Sequence, residues 1–141
     1  MTARDSVSRG YRNNNPGNIR NSGVIFDGEI RPSADANFKQ FKDMRYGYRA
    51  MFKALRFYFN AYSISTIDAW IKRWAPSSDG NNTEAYIKSV CKMTGISRFT
   101  GINPYCKSKM IAIVSAISRI ENGVDADYDI VSQAWDLTFK D

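Results

Sequence analysis

Histidine is absent from this sequence of 141 residues, and cysteine, glutamate and proline occur only two, three and four times. Each shortage excludes some chemistry. Without imidazole there is no Ser-His-Asp or Cys-His nucleophile, no His-ligated zinc hydrolase and no His-dependent nuclease, because each needs a base or ligand that titrates near neutrality. Two cysteines cannot complete a four-ligand zinc site, so neither a metal nor another cofactor is expected. No run reaches the about 18 apolar residues that span a bilayer, and the opening MTARDSVSRGYR lacks the apolar centre of a secretion signal. The expectation is a chain made soluble in a cytoplasm, with no membrane insertion. Chemistry at neutral pH is left to carboxylates, Tyr, Lys, hydroxyls and amides, and the acids are 11 Asp against Glu29, Glu84 and Glu121.

What is present describes a folded domain. A hydrophobic content of 43%, with 13% aromatic, is that of a globular chain, and this length buries one core. A single monomeric domain over residues 1–141 is expected, with residues 1–8 as a flexible N-terminal tail. Cys91 and Cys106 read as reduced core residues, with a pairing between them as the alternative. The net charge of +6 is uneven, since residues 1–73 hold 13 basic and 6 acidic side chains while residues 74–141 hold 7 and 8. The first half therefore suits an anionic partner, whether nucleic acid, membrane surface or cell-wall polymer, unless the charge serves solubility alone.

Residues 1–45 are rich in Asn, Gly and Arg, show no helical period, and contain two stretches that read as short strands, Val24 to Ile30 and Asn37 to Phe41. From Tyr46 the period becomes helical, with Tyr48, Met51, Phe52, Leu55, Phe59 and Tyr62 on one side. A second helix starts at Ser65 or Thr66 as N-cap and stops at Pro76, and a polar loop follows over Ser77–Asn82. Thr83 caps a third, which ends at Thr94-Gly95. A fourth opens at Asn103-Pro104, where Pro suits the first helical position, and runs to Asn122-Gly123; a last one begins near Asp127. The fold class is mainly α: about five helices and a small irregular or β-containing N-terminal region.

Two features carry candidate chemistry. On the fourth helix Met110, Val114, Ile117 and Glu121 share one face, so a carboxyl terminates an apolar stripe. The helix C-terminus and partial burial both disfavour negative charge there, which suits a carboxylic acid that donates a proton, unless Glu121 swings out to water. The second feature is the run Arg9 to Arg20, in which Asn13, Asn14, Asn15 and Asn18 crowd a segment locked by Pro16-Gly17. Such a loop is dense in paired donors and acceptors that suit sugar hydroxyls and N-acetyl groups, although structural loops also use Asn; Arg12, Asn14, Asn15 and Asn18 are the candidate ligands. Glu84 fits its place in a first helical turn without further role, and Glu29, Asp43 and Asp79 are possible second carboxylates.

The string RGYRNNNPGNIR, with Phe38-x-x-Phe41, Tyr46-Gly47-Tyr48-Arg49-Ala50, Arg73-Trp74-Ala75-Pro76, Asn81-Asn82-Thr83-x-x-Tyr86-Ile87 and Glu121-Asn122-Gly123, resembles small phage and prophage virion-associated proteins of lysozyme-like, lytic transglycosylase type. The resemblance runs from Arg9 to about Gly123. It departs from the family after Pro76, where Ser-Ser-Asp-Gly precedes the two Asn, and this speaks against a role for Asp79. It implies an α+β lysozyme-like fold. In lytic transglycosylases the catalytic Glu ends a helix ahead of the amide-rich and Phe-x-x-Tyr segments; here Glu121-Asn122-Gly123 comes last, so the order looks circularly permuted. The segment Thr83 to Val90 is similar to the element whose Tyr approaches that Glu. The resemblance thus implies Glu121 as catalytic acid, Tyr86 as its neighbour, and Asn82 beside the loop amides as substrate-binding.

The activity it implies is a glycosidase acting on the MurNAc–GlcNAc backbone of bacterial peptidoglycan, used in phage lysis or wall penetration. The enzyme would reach periplasm and cell wall through a holin-type pore, or be carried in the virion with other virion proteins. Missing histidine agrees, because it removes the zinc amidases and Cys-His peptidases and leaves the glycan strand as target. A transglycosylase needs one Glu as acid and then base, whereas a hydrolase needs activated water or a second carboxylate about 5–9.5 Å away. The alternative is a non-catalytic virion structural or wall-binding module of the same fold. A nucleic-acid-binding reading ranks below both, as no recognition helix or stacking sheet is visible.

Overall fold

The computed structural model describes residues 7–140. Most of the expected tail, residues 1–8, lies outside them; of the two that are described, Ser8 is anchored, as N-cap of a short helix α1 (Arg9–Arg12). This turn of helix forms where an irregular loop is expected, because the Ser8 hydroxyl accepts from the Tyr11 N–H. It stops at once, since Asn14 turns into the left-handed region at φ 52°.

The two expected strands shrink to β1 (Glu29–Ile30) and β2 (Gln40–Phe41), an antiparallel pair with Glu29 opposite Phe41 and Ile30 opposite Gln40. One further bridge joins Arg20 and Phe38. The Val24–Phe26 stretch stays unpaired, and Val24 and Ile25 face outward.

Five longer helices follow: α2 (Met44–Tyr62), α3 (Ile67–Trp74), α4 (Thr83–Thr94), α5 (Lys107–Asn122) and α6 (Tyr128–Leu137), with one 3-10 turn over Ser77–Asp79. The chain is therefore mainly helical with a small two-stranded antiparallel sheet, as the periodicity predicts. Two starts differ from expectation. Asn82, not Thr83, caps α4 through its side-chain oxygen on the Ala85 N–H, while the Thr83 hydroxyl donates to the Ala75 carbonyl and ties α4 to the end of α3. Asn103-Pro104 forms a turn ahead of α5 rather than its first residues, with the Asn103 side chain accepting from the Tyr105 N–H; Cys106 is the cap residue.

Helix α2 packs on α6, α4 on α5 and on α3, and α5 on α6. Their shared core holds Met51, Phe52, Leu55, Trp70, Ile87, Met110, Val114 and Ile117, all fully buried. Polar groups taken inside are matched: the Trp70 indole N–H donates to the Leu55 carbonyl at 3.1 Å, and Tyr48 and Ser118 share a 2.8 Å hydrogen bond. The α2 stripe leaves the core at its end, where Tyr62 is exposed. Cys91 and Cys106 are both unpaired and half-buried.

Lys39 is the exceptional buried group. Its ammonium donates to Glu29 Oε1 at 2.7 Å and to the carbonyls of Val24 at 2.8 Å and Ser22 at 3.4 Å, so each of its protons has a partner. Glu29 Oε2 accepts from the Phe26 N–H, and the pair pins the 22–29 loop against β2. Removing one member of such a pair strands the other without water, at a cost of about 3–5 kcal/mol. Lys39→Met should therefore lower the unfolding free energy by that amount in a urea titration, and adding Glu29→Leu should recover most of it.

Candidate active site

The Asn-rich loop is held by side-chain amides. Asn15, fully buried, accepts from the Ile19 N–H and donates to the carbonyls of Ile19 and Lys39, each at 2.9 Å. Asn13 donates to Asp35 and Asn14 to the Phe41 carbonyl. From the far end of the chain, Asn122 donates to the Pro16 carbonyl at 2.8 Å and accepts from the Ser8 hydroxyl at 2.6 Å, which fastens the loop to the last turn of α5.

Such closeness needs glycine at two points. A Cβ on Gly10 would lie 2.5 Å from Asn122 Oδ1 and 3.0 Å from Asn18 Oδ1, and a Cβ on Gly47 would collide with the Asn14 carbonyl and the Pro16 ring.

The loop delivers Asn18 to Glu121. Asn18 Nδ2 donates to Glu121 Oε1 at 2.8 Å, and the Tyr86 hydroxyl donates to Oε2, also at 2.8 Å. Holding Asn18 there has a cost: its φ is +49°, and its Oδ1 is buried against Gly10 with no hydrogen-bond partner among the described residues. An unpaired buried carbonyl costs about 1–3 kcal/mol, and strain of this kind gathers where function requires it. The two donors differ in kind. An amide N–H can only donate, whereas a phenol can donate to a carboxylate or accept from a carboxylic acid, so Glu121 can take up or release a proton without losing Tyr86.

Glu121, half-buried, opens on a cleft of about 120 Å³ whose walls include Asn18, Phe38, Trp74, Asp79 and Asn81. The Trp74 indole donates to the Gly17 carbonyl at 3.2 Å, which sets that wall against the loop. Burial, then the facing Glu121 carboxylate, pushes the Tyr86 hydroxyl far above its ordinary range, so it stays protonated. Among the described residues no three His, Cys, Asp or Glu side chains gather as a metal site would need.

Glu121, Tyr86 and Asn18 thus come together from opposite ends of the chain. The other anticipated ligands do not join them. Asn15 has no amide face left for a ligand, Asn14 is turned to the backbone of β2, and exposed Arg12 donates to the Val7 carbonyl. Asn82 is occupied as a helix cap, and its neighbour Asn81 takes the place in the cleft. Of the possible second carboxylates, Glu29 is buried against Lys39 and Asp43 caps α2 beside Arg45; only Asp79, disfavoured on sequence, lines the cleft. Phe38, Trp74 and Asn81 also line the cleft, and nothing in their spacing marks them as its walls.

The fold and this carboxyl-centred cleft define a small helical domain with a built polar site. No family model matches the sequence. Over 139 residues, 96% of the chain, it is 35% identical to Protein P5 of Pseudoalteromonas phage PM2, of which the match covers 84%. The chain belongs to the family of that bacteriophage protein.

The two buried phenols give the fold a pH dependence. Burial raises both Tyr48 and Tyr86 from an ordinary value of 10.0. A group raised in the folded state stabilises the fold fully below its unfolded value, and that stability is lost as pH rises past it. Stability should hold to about pH 10 and then fall, the unfolded chain ionising first, and Tyr86→Phe should flatten the fall in denaturant titrations between pH 9 and 11.

Proposed function

We propose that this protein is a peptidoglycan glycosidase that cuts the MurNAc–GlcNAc backbone, a lytic transglycosylase or muramidase that serves phage lysis or wall penetration. The observation that carries the reading is the carboxyl of Glu121, held by Asn18 and Tyr86 at the foot of an open cleft, with Asn18 strained to do it. Membership in a phage protein family and the motif resemblance support it. So does the absence of histidine, which leaves a carboxyl as the available acid.

In the transglycosylase form, Glu121 gives its proton to the glycosidic oxygen as the C1–O bond breaks. The resulting carboxylate takes a proton from the muramyl 6-hydroxyl, whose oxygen closes on C1 to form a 1,6-anhydro ring, so no water is consumed. Tyr86 follows both changes of protonation by reversing its hydrogen bond, and Asn18 keeps Oε1 in place. A hydrolase would place water opposite Glu121, and Asp79 is the described carboxylate that lines the same cleft. No helix among the described residues is long and apolar enough to cross a membrane. Reaching the wall would fall to a holin-type pore or to carriage in the virion beside other virion proteins.

Glu121→Gln should fold normally and lose at least about 100-fold in turbidity clearing of purified peptidoglycan, the scale of a lost general acid. Full activity in that variant refutes the assignment, and retention on peptidoglycan without any bond cleavage in the wild type would identify a wall-binding module instead. Mass spectrometry separates the two chemistries, since anhydro products lack one water relative to hydrolysis products.

Gly10→Ala offers a check away from the carboxyl. Its Cβ would meet Asn122 Oδ1 at 2.5 Å and the Asn15 carbonyl at 2.8 Å, with Asn18 Oδ1 at 3.0 Å, so the loop that carries Asn18 must give way, and misplacing a catalytic partner costs up to about 100-fold. The turnover rate should fall by that much with the helical circular dichroism unchanged.

A further inference from the structure

Beyond the Glu121 cleft lies a larger groove of about 600 Å³. The two share Gly17, Asn18, Arg20, Trp74 and Asp79 along their walls, so they lie side by side on one face. The outer groove is built differently from the cleft. Val24, Ile25 and Phe57 line it while 60%, 63% and 56% exposed, which is a concentration of uncovered apolar surface.

Cations stand among these residues. Arg49 is paired with Asp27 at 3.1 Å and Arg20 with Asp79 at 3.7 Å, whereas Lys53 and Arg73 have no acidic partner among the described residues. The Arg73 guanidinium lies over the Tyr62 ring at 4.1 Å and the Tyr58 ring at 5.1 Å, so its plane is set in advance.

We propose that the outer groove binds the peptide arm that a glycan strand carries on its muramyl lactyl groups. Lys53 and Arg73 take the peptide's carboxylates, and Val24, Ile25 and Phe57 receive its alanyl methyls. The inference rests on the glycosidase reading and sharpens it, because the preferred substrate becomes peptide-bearing rather than naked glycan. The match is one of chemistry and position. A short acidic peptide with small apolar side chains offers anions at intervals with methyl groups between them, and this groove presents unpaired cations beside aliphatic and aromatic surface. A chain of sugars in the cleft would bring such an arm to its mouth. A nucleic acid would ask instead for an unbroken line of cations, and two of the four here are neutralised by Asp27 and Asp79.

The test separates binding from cleavage by using the full chain with Glu121→Gln. It is titrated with the tetrapeptide L-alanyl-γ-D-glutamyl-diaminopimelyl-D-alanine and with the same peptide whose carboxyls are amidated. Binding should weaken at least about tenfold on amidation and with Lys53→Gln plus Arg73→Gln, the scale of one charge-assisted hydrogen bond. Arg73→Lys, which keeps the charge, should recover part of that loss.

In turnover the wild type should cleave intact sacculi faster than amidase-stripped glycan, and the Gln pair should lose rate only on sacculi. Equal rates on both substrates, or equal losses on both, overturn the proposal and leave the glycosidase reading intact. Peptide binding that depends on the two cations, in a protein that cleaves neither substrate, upholds the groove and rejects the glycosidase. Binding of a 12-base-pair DNA duplex with the same dependence on Lys53 and Arg73 overturns it in favour of nucleic acid.

Discussion

The side chain of Asn15 does for the N-terminal region what a third strand would do for a sheet. Its amide pairs with the backbone of Ile19 in both directions and reaches the Lys39 carbonyl, while the Lys39 N–H returns to the Ile19 carbonyl. Three backbone groups are served by one side chain, and an apolar residue of the same size would leave the Ile19 N–H and the Lys39 carbonyl unpaired while the Ile19 carbonyl kept only the Lys39 N–H. Around this point the chain can turn tightly enough to place Asn18 under Glu121 and Pro16 under Asn122. The two strands of the sheet are only two residues long, so amides rather than a ladder fix this region. Position in the Glu121 cleft therefore descends from a residue that no ligand can touch.

Much of the helical half was readable from its sequence for a plain reason. Each helix buries one face, and a buried face imposes a period that survives in the residues; Met51, Phe52 and Leu55 on α2 and Met110, Val114 and Ile117 on α5 are all fully buried. The same period exposed Glu121, as the polar residue at the end of an apolar row. The loop resisted because its four Asn look alike in composition while their jobs are decided by contacts that range from Ile19, four residues from Asn15, to Glu121, 103 residues from Asn18. Nothing local separates the amide that serves the backbone from the one that serves the cleft. The exchange of Asn82 for Asn81, and of Thr83 for Asn82 as cap, has the same origin in adjacent residues with equivalent side chains.

Charge asymmetry, too, takes on meaning only in three dimensions. Several cations of the basic half are already engaged by the fold: Lys39 holds Glu29 inside it, Arg9 holds Asp35 in a two-point contact at the surface, and Arg56 lies buried among the rings of Tyr105, Trp135 and Phe139. The surplus that composition reports is concentrated by this removal, since the cations left over include the pair along the outer groove. A uniform halo of charge would steer anions toward the surface in general, whereas a few unpaired cations beside apolar surface discriminate among anions by shape.

The geometry of the site also sets a timetable. Asn18 and Glu121 are 103 positions apart, and Ser8 and Asn122 are 114 apart. At a synthesis rate of roughly 5–20 residues per second, the amide loop waits roughly 5–20 s on the ribosome before its carboxyl partner is even joined to the chain. Contacts of such range close late in folding as well, because their loop entropy is met only after the intervening helices have packed. Nascent chains and fragments that stop short of residue 121 consequently carry the cleft's walls without its acid. The site is incomplete when its first half emerges, and it is assembled only as the two distant parts of one molecule meet.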